Sequence, residues 1–304
     1  MTTINDDNAP NKKQPDSKID GFLTKLCDKI PCLKCFGSAP VVAVLHLHGV
    51  IGSGGYMKSG LSFDNLDEQI TKAFKIAKLK AVVLSINSPG GSPVQSELIY
   101  KRIRQLSIEK NIKVLAFVQD VAASGGYFLS LAADEIFVSA NSIVGSIGVI
   151  SSGFGFQETI KKLGIERRVY TQGKNKSVLD PFSPEKSSDV EIIKNIQSDI
   201  HQSFKDLVTE RRGEKLDVDT DLLFSGEFWS GKKALELGLV DGIGNMHEVI
   251  ELRFGRDIVY RKMTGQSSWL KRKLGISVQG MGQDLVSAAS DKLEEKLLWN
   301  RFGL

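Results

Sequence analysis

A serine between small residues is the strongest chemical signal in the sequence. Ser124 lies in the stretch Ala122–Gly126, between an apolar strand predicted for Val114–Val118 and an apolar helix predicted for Tyr127–Ala132. Such a turn holds a hydroxyl at a helix N-terminus, where backbone N–H groups and the helix dipole favour developing negative charge. The stretch therefore fits a nucleophile, although taken alone it more often serves only close packing between a strand and a helix.

A second turn offers backbone donors that such a nucleophile needs. Ser92 as N-cap, Pro93 at the first helical position and Gln95 as capping-box partner predict the start of a helix. Gly90 and Gly91 directly before it leave N–H groups uncovered near the positive end of the helix dipole. This arrangement indicates an oxyanion hole, and a tight turn without chemistry is the alternative.

Strands and helices alternate around these two turns. Apolar and β-rich segments predict strands at Val41–Val50, Ala81–Ile86, Val114–Val118, Glu135–Val138 and Arg167–Thr171. Amphipathic segments predict helices at Gln157–Gly164 and Ser187–Arg212, and a capping box at Asn65 and Glu68 predicts another helix start. Three successive strand-helix units that turn at small residues are typical of an α/β domain with a largely parallel sheet.

Composition excludes several classes of function. The 304 residues are 41% hydrophobic and 25% charged, with a net charge of +4, and no basic stripe is interleaved with aromatic residues, so nucleic acid is not expected as a partner. No apolar run approaches the roughly 18 residues of a membrane span, and the first residues are polar. We therefore expect neither a transmembrane helix nor a signal peptide, and favour a cytoplasmic location, either soluble or peripheral to a membrane.

Both ends of the chain differ from its centre. We predict a disordered tail and a short amphipathic helix in residues 1–40, a catalytic domain at 41–252 and a helical extension at 253–304. The N-terminal helix could contact a membrane surface, but packing on protein is favoured, and assembly is the favoured role of the extension. Cys27, Cys32 and Cys35 are an odd cluster that predicts unmodified thiols, because no second Cys/His pair completes a metal site.

Five motifs occur in the order found in the signal peptide peptidase A family, peptidase family S49. They are Asn87–Gly91, Ala122–Tyr127, Ala132–Ile136, Gly145–Val149 and Gly173–Ser177. Together with Phe224–Gly231, they make the sequence resemble the short, single-unit form of these serine peptidases over about residues 41–250. The resemblance implies a Clp/crotonase-like fold of repeated ββα-type units with a largely parallel sheet.

The resemblance also assigns roles to residues. It implies Ser124 as nucleophile, Lys176 rather than the nearby Lys174 as general base, and Ser146 as the hydroxyl that orients the lysine amine. Gly91 matches the oxyanion donor, which shares this task with the backbone N–H of Ser124. Lysine acts as a base only when its amine is neutral, so the site must be apolar and closed around Lys176. No metal or organic cofactor is expected.

The same resemblance implies a serine endopeptidase that cleaves apolar or membrane-derived peptides, such as residual signal peptides. The short form of the family assembles as a ring in which neighbouring subunits supply serine and lysine. We therefore expect a homo-oligomer, with an octamer as one such ring, and an inactive monomer. Bacterial members carry an N-terminal membrane anchor that is not recognised in this sequence, so peripheral membrane contact is kept as a hypothesis.

Three alternatives remain open. A Ser-His-Asp triad would need one of His46, His48, His201 and His247 beside Ser124, and none follows the serine helix at the spacing found in Clp proteases. A crotonase-like acyl-CoA enzyme shares the expected fold but leaves Lys176 without a role. A catalytically silent scaffold would not need the full set of site residues. A serine-reactive probe and a Ser124→Ala variant separate these alternatives from a peptidase.

Overall fold

The computed structural model of the chain describes residues 39–52, 60–216, 220–264 and 295–304. The predicted N-terminal tail, the amphipathic helix, the three cysteines and most of the C-terminal extension lie outside these residues. The strands are β1 Val41–His48, β2 Leu79–Ser88, β3 Lys113–Ala123, β4 Glu135–Val138, β5 Ile143–Gly145, β6 Phe228–Ser230, β7 Gly242–Ile243 and β8 Val259–Met263. The helices are α1 Phe63–Ala73, α2 Pro93–Lys110, α3 Gly125–Ser130, α4 Gln157–Lys162, α5 Ser187–Arg212, α6 Thr220–Leu223, α7 Gly231–Glu236 and α8 Met246–Phe254.

The described strands form one sheet in the order β6-β5-β3-β2-β1-β8, and β4 joins it by pairing with β3 and β7. All of these pairings are parallel except that of β5 with β6. The predicted α/β fold with a largely parallel sheet is confirmed. Short strand-helix connections place the carboxyl ends of β2 and β3 side by side, and both predicted turns lie at this edge of the sheet.

The central strands are buried on both faces, which explains why they read as almost continuous apolar runs. On β1, Ala43 and Leu45 pack in the core that also holds α1, α2 and α3. Val42 and Val44 face the other side and pack in a second core with Ile250 of α8. Burial on both faces is the usual condition of a parallel strand, and it leaves little freedom in the register of β1, β2 and β3.

One contact, between the side chain of Gln95 and the N–H of Phe63, explains two departures from the predicted helix caps. Ser92 caps α2 as predicted, since its hydroxyl accepts the N–H of Gln95. The Gln95 side chain, however, does not complete the capping box, because its Oε1 accepts the N–H of Phe63 at 2.7 Å. Helix α1 consequently begins at Phe63, and the capping box predicted for Asn65 is wrong.

Two further predictions of secondary structure are corrected. Arg167–Thr171 is not a strand, because its residues are exposed and pair with no described strand. Residues 259–263, which the prediction placed in a helical extension, form β8 and pair in parallel with β1. The sheet therefore continues beyond residue 252, and the rest of the predicted extension is described only at 295–304, where residues 295–300 are helical.

A buried ion pair joins α5 to the end of the domain. Arg212, whose side chain is 3% exposed, donates to Asp241 Oδ2 at 2.7 Å and to the carbonyl of Gly238. Asp241 also accepts from Lys215 and from the N–H of Ile136. Burial alone raises the pKa of Asp241, but the hydrogen bonds from Arg212 and Lys215 outweigh burial and hold it below its ordinary value.

Removing this carboxylate is expected to destabilise the fold strongly. The Asp241→Ala change leaves Arg212 buried without its partner, and we expect it to lower the free energy of unfolding by about 3–5 kcal/mol at neutral pH. Because the folded-state pKa of Asp241 is depressed, its contribution is present above the unfolded pKa of about 4 and is lost as the pH falls through the folded value. Urea denaturation at several pH values measures both effects.

The matched control is an exposed acid in an ion pair. Glu166 pairs with Arg168, and both side chains are about 70% exposed (71% and 68%). We expect Glu166→Ala to leave the urea midpoint unchanged, since exposed pairs contribute little. Equal midpoints for the Asp241 and Glu166 variants would contradict the structural role of the buried pair.

Candidate active site

Ser124 occupies a strained turn between β3 and α3. It is the N-cap of α3, it is partly exposed, and its backbone has φ 51° and ψ −120°, values that residues with a side chain rarely adopt. Its N–H donates to the carbonyl of Gly145 at 2.8 Å, and its carbonyl accepts the N–H of Phe128 at 2.9 Å. Backbone hydrogen bonds on both sides therefore hold the residue in this conformation, and its hydroxyl makes no hydrogen bond with the part of the chain that the structure describes.

This strain predicts an unusual order of stability among Ser124 variants. Glycine tolerates the observed backbone angles, so Ser124→Gly is expected to be more stable than Ser124→Ala by about 1 kcal/mol. At Ser198, an exposed position within α5 without a positive φ, the order should reverse, because glycine destabilises a helix interior by a similar amount. Thermal denaturation of the four variants tests this, and the same order at both positions would contradict strain at Ser124.

The predicted oxyanion turn packs directly against Ser124. A Cβ atom added to Gly90 would lie 2.9 Å from Ser124 Cβ, and one added to Gly91 would lie 1.9 Å from the carbonyl oxygen of Ile51. Both glycines have positive φ, 107° and 144°. Only residues without a side chain allow this approach of two backbones. The structure thus brings the Gly91 turn and the Ser124 turn together, as the sequence predicted.

The backbone donors next to the serine differ from the prediction. The N–H of Ser124 is occupied by the Gly145 carbonyl, because the parallel pairing of Ala123 with Gly145 continues into the turn. The prediction that this N–H donates to the oxyanion together with Gly91 is therefore corrected. The N–H groups of Gly91 and Gly125 have no hydrogen-bond partner among residues 39–52, 60–216, 220–264 and 295–304. The sequence could have indicated Gly125, since the first N–H groups of any helix lack an intrahelical partner.

Of the residues predicted to act with Ser124, Ser146 is buried and Lys176 is exposed. Ser146 is buried directly after Gly145, with φ 55°, and its N–H donates to the carbonyl of Glu227. Lys176 and Lys174 are both exposed, and neither amine hydrogen-bonds Ser124 or Ser146 within the described chain. Within one chain, the described residues therefore do not close an apolar site around Lys176.

Lys176 belongs to residues 149–186, which follow β5 and precede α5 and which we call the arm. The arm is largely exposed, and its large apolar side chains include Phe154 (79% exposed) and Tyr170 (91%). Its internal contacts include the tilted rings of Phe154, Phe156 and Phe182 and an Arg167–Asp180 ion pair. Exposed apolar surface of this kind is typical of regions that contact another molecule.

The described contacts of the histidines are with residues other than Ser124. His48 contacts Ser85 Oγ at 3.0 Å, His201 contacts the carbonyl of Ile147, and the ring of His247 packs on Tyr260. None of the four histidines hydrogen-bonds Ser124, so the structure gives no support to a Ser-His-Asp triad. Within the described ranges, no group of three metal-ligating side chains is found, and no helix is both long and apolar enough to cross a membrane.

Comparison with known proteins gives a consistent result. The model of peptidase family S49 matches residues 107–253. The chain is 47% identical over 276 residues to the Na(+)/H(+) antiporter NhaA of Brucella abortus (strain 2308), covering 86% of this chain and 37% of that protein. It is 29% identical over 231 residues to the chloroplastic serine protease SPPA of Arabidopsis thaliana, covering 76% and 32%.

The chain is also 31% identical over 236 residues to Protease 4 of Haemophilus influenzae, covering 77% of this chain and 37% of that protein. It thus spans about a third of the length of these curated relatives (32–37%). The antiporter name of the Brucella relative describes a protein much longer than the part that aligns.

Proposed function

We propose that the chain is a serine endopeptidase of peptidase family S49, in which Ser124 is the nucleophile and Lys176 the general base. The observation that supports this most is the strained Ser124 turn packed against Gly91, beside two N–H groups that have no partner in the described part of the chain. A hydroxyl fixed at a helix start next to free donors is what acyl transfer requires.

The proposed reaction uses groups of the protein alone. Ser124 Oγ attacks the peptide carbonyl carbon while the neutral amine of Lys176 takes its proton. The N–H groups of Gly91 and Gly125 donate to the resulting oxyanion, and Gly125 replaces the N–H of Ser124 in this role. The lysine then delivers the proton to the leaving amine, and water hydrolyses the acyl-enzyme in a second cycle. Ser146 orients the lysine amine.

The arm supports a site shared between two chains. Lys176 is exposed, whereas a lysine base must lie in an apolar surrounding to be neutral. The exposed apolar residues of the arm would be buried in a contact with a second copy, which would also remove Lys176 from water. We therefore infer a homo-oligomer, such as a ring, in which the arm of one subunit brings Lys176 to Ser124 of its neighbour.

Apolar peptides are the proposed substrates. Val94 and Leu98 lie in the first two turns of α2, just after Gly91, and their side chains are 60% and 40% exposed. They offer an apolar surface beside the proposed oxyanion hole, where a hydrophobic substrate side chain could pack. This surface favours membrane-derived peptides, such as residual signal peptides, over charged ones.

Hydrolysis of an apolar fluorogenic peptide by the full chain, followed together with light scattering, tests the proposal. We expect activity in the oligomeric fraction alone, unchanged by a metal chelator and abolished by a fluorophosphonate. An oligomer that leaves all apolar peptides intact but turns over acyl-CoA thioesters would support the crotonase-like alternative. An oligomer without either activity would support the scaffold.

A further inference from the structure

A cleft lies on the face of the sheet opposite α1, α2 and α3. It has a volume of about 720 Å³; β1, β2, β3 and β8 contribute to its lining, as do residues 139–140 and 243–247. It is separate from the Ser124 turn, because it opens on the side of the sheet that carries α8. Its size is typical of sites that enclose a small organic molecule.

The polar groups of this cleft favour an anion. Lys262, His46 and His247 line it, and its lining includes no Asp or Glu. Lys262 forms no ion pair with any described residue. Burial, and then the positive charge of Lys262, lower the pKa of His46 below its ordinary value, which agrees with a positive potential. Two acids act on groups at or near the cleft: Asp120 acts on His48, which does not line it, and Glu251 acts on Tyr260, which does.

Unpartnered donors point to the same kind of ligand. Helix α8, nine residues long, starts at the cleft, and its cap Asn245 accepts the N–H of Glu248. The preceding N–H groups of Met246 and His247 have no acceptor in the described part of the chain. The hydroxyl of Tyr260 is buried there, also without a described partner. An unmet buried hydroxyl is costly, and the first N–H groups of a helix attract anions, so these groups favour a ligand that accepts hydrogen bonds.

The remaining lining is apolar. Val44 and Phe117 of the sheet, Ile243 and Met246 line the same cleft, and strand pairing places Lys262 directly beside Val44. We propose that this cleft binds a small carboxylate with an apolar body, whose charged end contacts Lys262 and the start of α8. A fatty acid and the C-terminus of an apolar peptide share this chemistry.

Binding is tested in the full chain carrying Ser124→Ala, so that no peptide is hydrolysed and a failure of the proposed peptidase activity does not affect the result. Decanoate and N-acetyl-trileucine serve as probes, with decanamide and the trileucine amide as neutral controls, in isothermal titration calorimetry. We expect at least one acid to bind and both amides to bind about tenfold more weakly or not at all. The acid that binds more tightly shows whether the ligand is a fatty acid or the C-terminus of an apolar peptide.

Variants on one strand provide the matched comparison. Lys262→Gln is expected to weaken binding of the acid about tenfold, whereas Arg261→Gln, on the opposite face of β8, should leave it unchanged. Tyr260→Phe should weaken it too while leaving the melting temperature of the free protein equal or higher. Absence of binding by either acid at millimolar concentration, or equal binding by the Lys262 and Arg261 variants, overturns the proposal.

Discussion

Replacing Ser124 with alanine is expected to lower kcat for peptide hydrolysis by at least about 10⁴-fold. In the proposed mechanism, the change removes the atom that forms the acyl-enzyme, and only binding and oxyanion stabilisation remain to accelerate attack by water. The variant should still fold, because the hydrogen bonds of residue 124 to Gly145 and Phe128 are made by its backbone. Steady-state hydrolysis of an apolar peptide, with circular dichroism of the same samples, measures both properties.

Ser96 provides the control for this variant. Its hydroxyl lies near the same turn, 2.6 Å from the place that a Cβ on Gly125 would occupy, and it donates to the carbonyl of Ser92. If Ser124 is the nucleophile, Ser96→Ala retains activity within about tenfold of the wild type, because only a structural hydrogen bond is lost. A Ser124→Ala protein that keeps most of the wild-type kcat would contradict the proposed mechanism.

Replacing Lys176 with alanine is expected to lower kcat by roughly 10²–10⁴-fold, the usual contribution of a general base. Lys174 is the matched control, since it lies two residues earlier and is equally exposed in one chain. Lys174→Ala should therefore retain nearly full activity. Similar losses in both lysine variants would indicate a general effect of charge on the arm instead of one base.

Mixing the two inactive variants tests whether the site is shared. In random hybrids of Ser124→Ala and Lys176→Ala subunits, about one interface in four combines an intact serine with an intact lysine from its neighbour. Activity should thus return to about a quarter of the wild-type value after subunit exchange. Hybrids that are demonstrated by native mass spectrometry but remain inactive would show that serine and lysine belong to the same chain.

Local signals made much of the fold predictable. The strands β1, β2 and β3 are buried on both faces, so their apolar runs alone indicate a parallel sheet. The start of α2 was predicted because its cap is formed by residues three positions apart. The start of α1 was not, because its first N–H groups depend on Gln95 from another helix. Likewise β8 is a short edge strand whose partner, β1, is far away in the sequence.

In the site, too, features set by local sequence were predicted, and features that depend on distant residues were not. The approach of Gly91 to Ser124 follows from two glycine-rich turns at the carboxyl ends of neighbouring parallel strands, and it was predicted. The occupation of the Ser124 N–H was missed, because its acceptor is the carbonyl of Gly145, which belongs to a strand later in the chain. The position of Lys176 relative to Ser124 cannot be derived from one chain if a second chain supplies it.

Covalent labelling tests the central claim most directly. The intact chain is treated with a fluorophosphonate and digested, and the modified residue is located by mass spectrometry. Our account predicts one adduct, on Ser124, that forms in the native protein and is absent after denaturation and in Lys176→Ala, because the hydroxyl is reactive only beside its base. Labelling of another residue, or of Ser124 equally in native and unfolded protein, would contradict a catalytic serine at this turn.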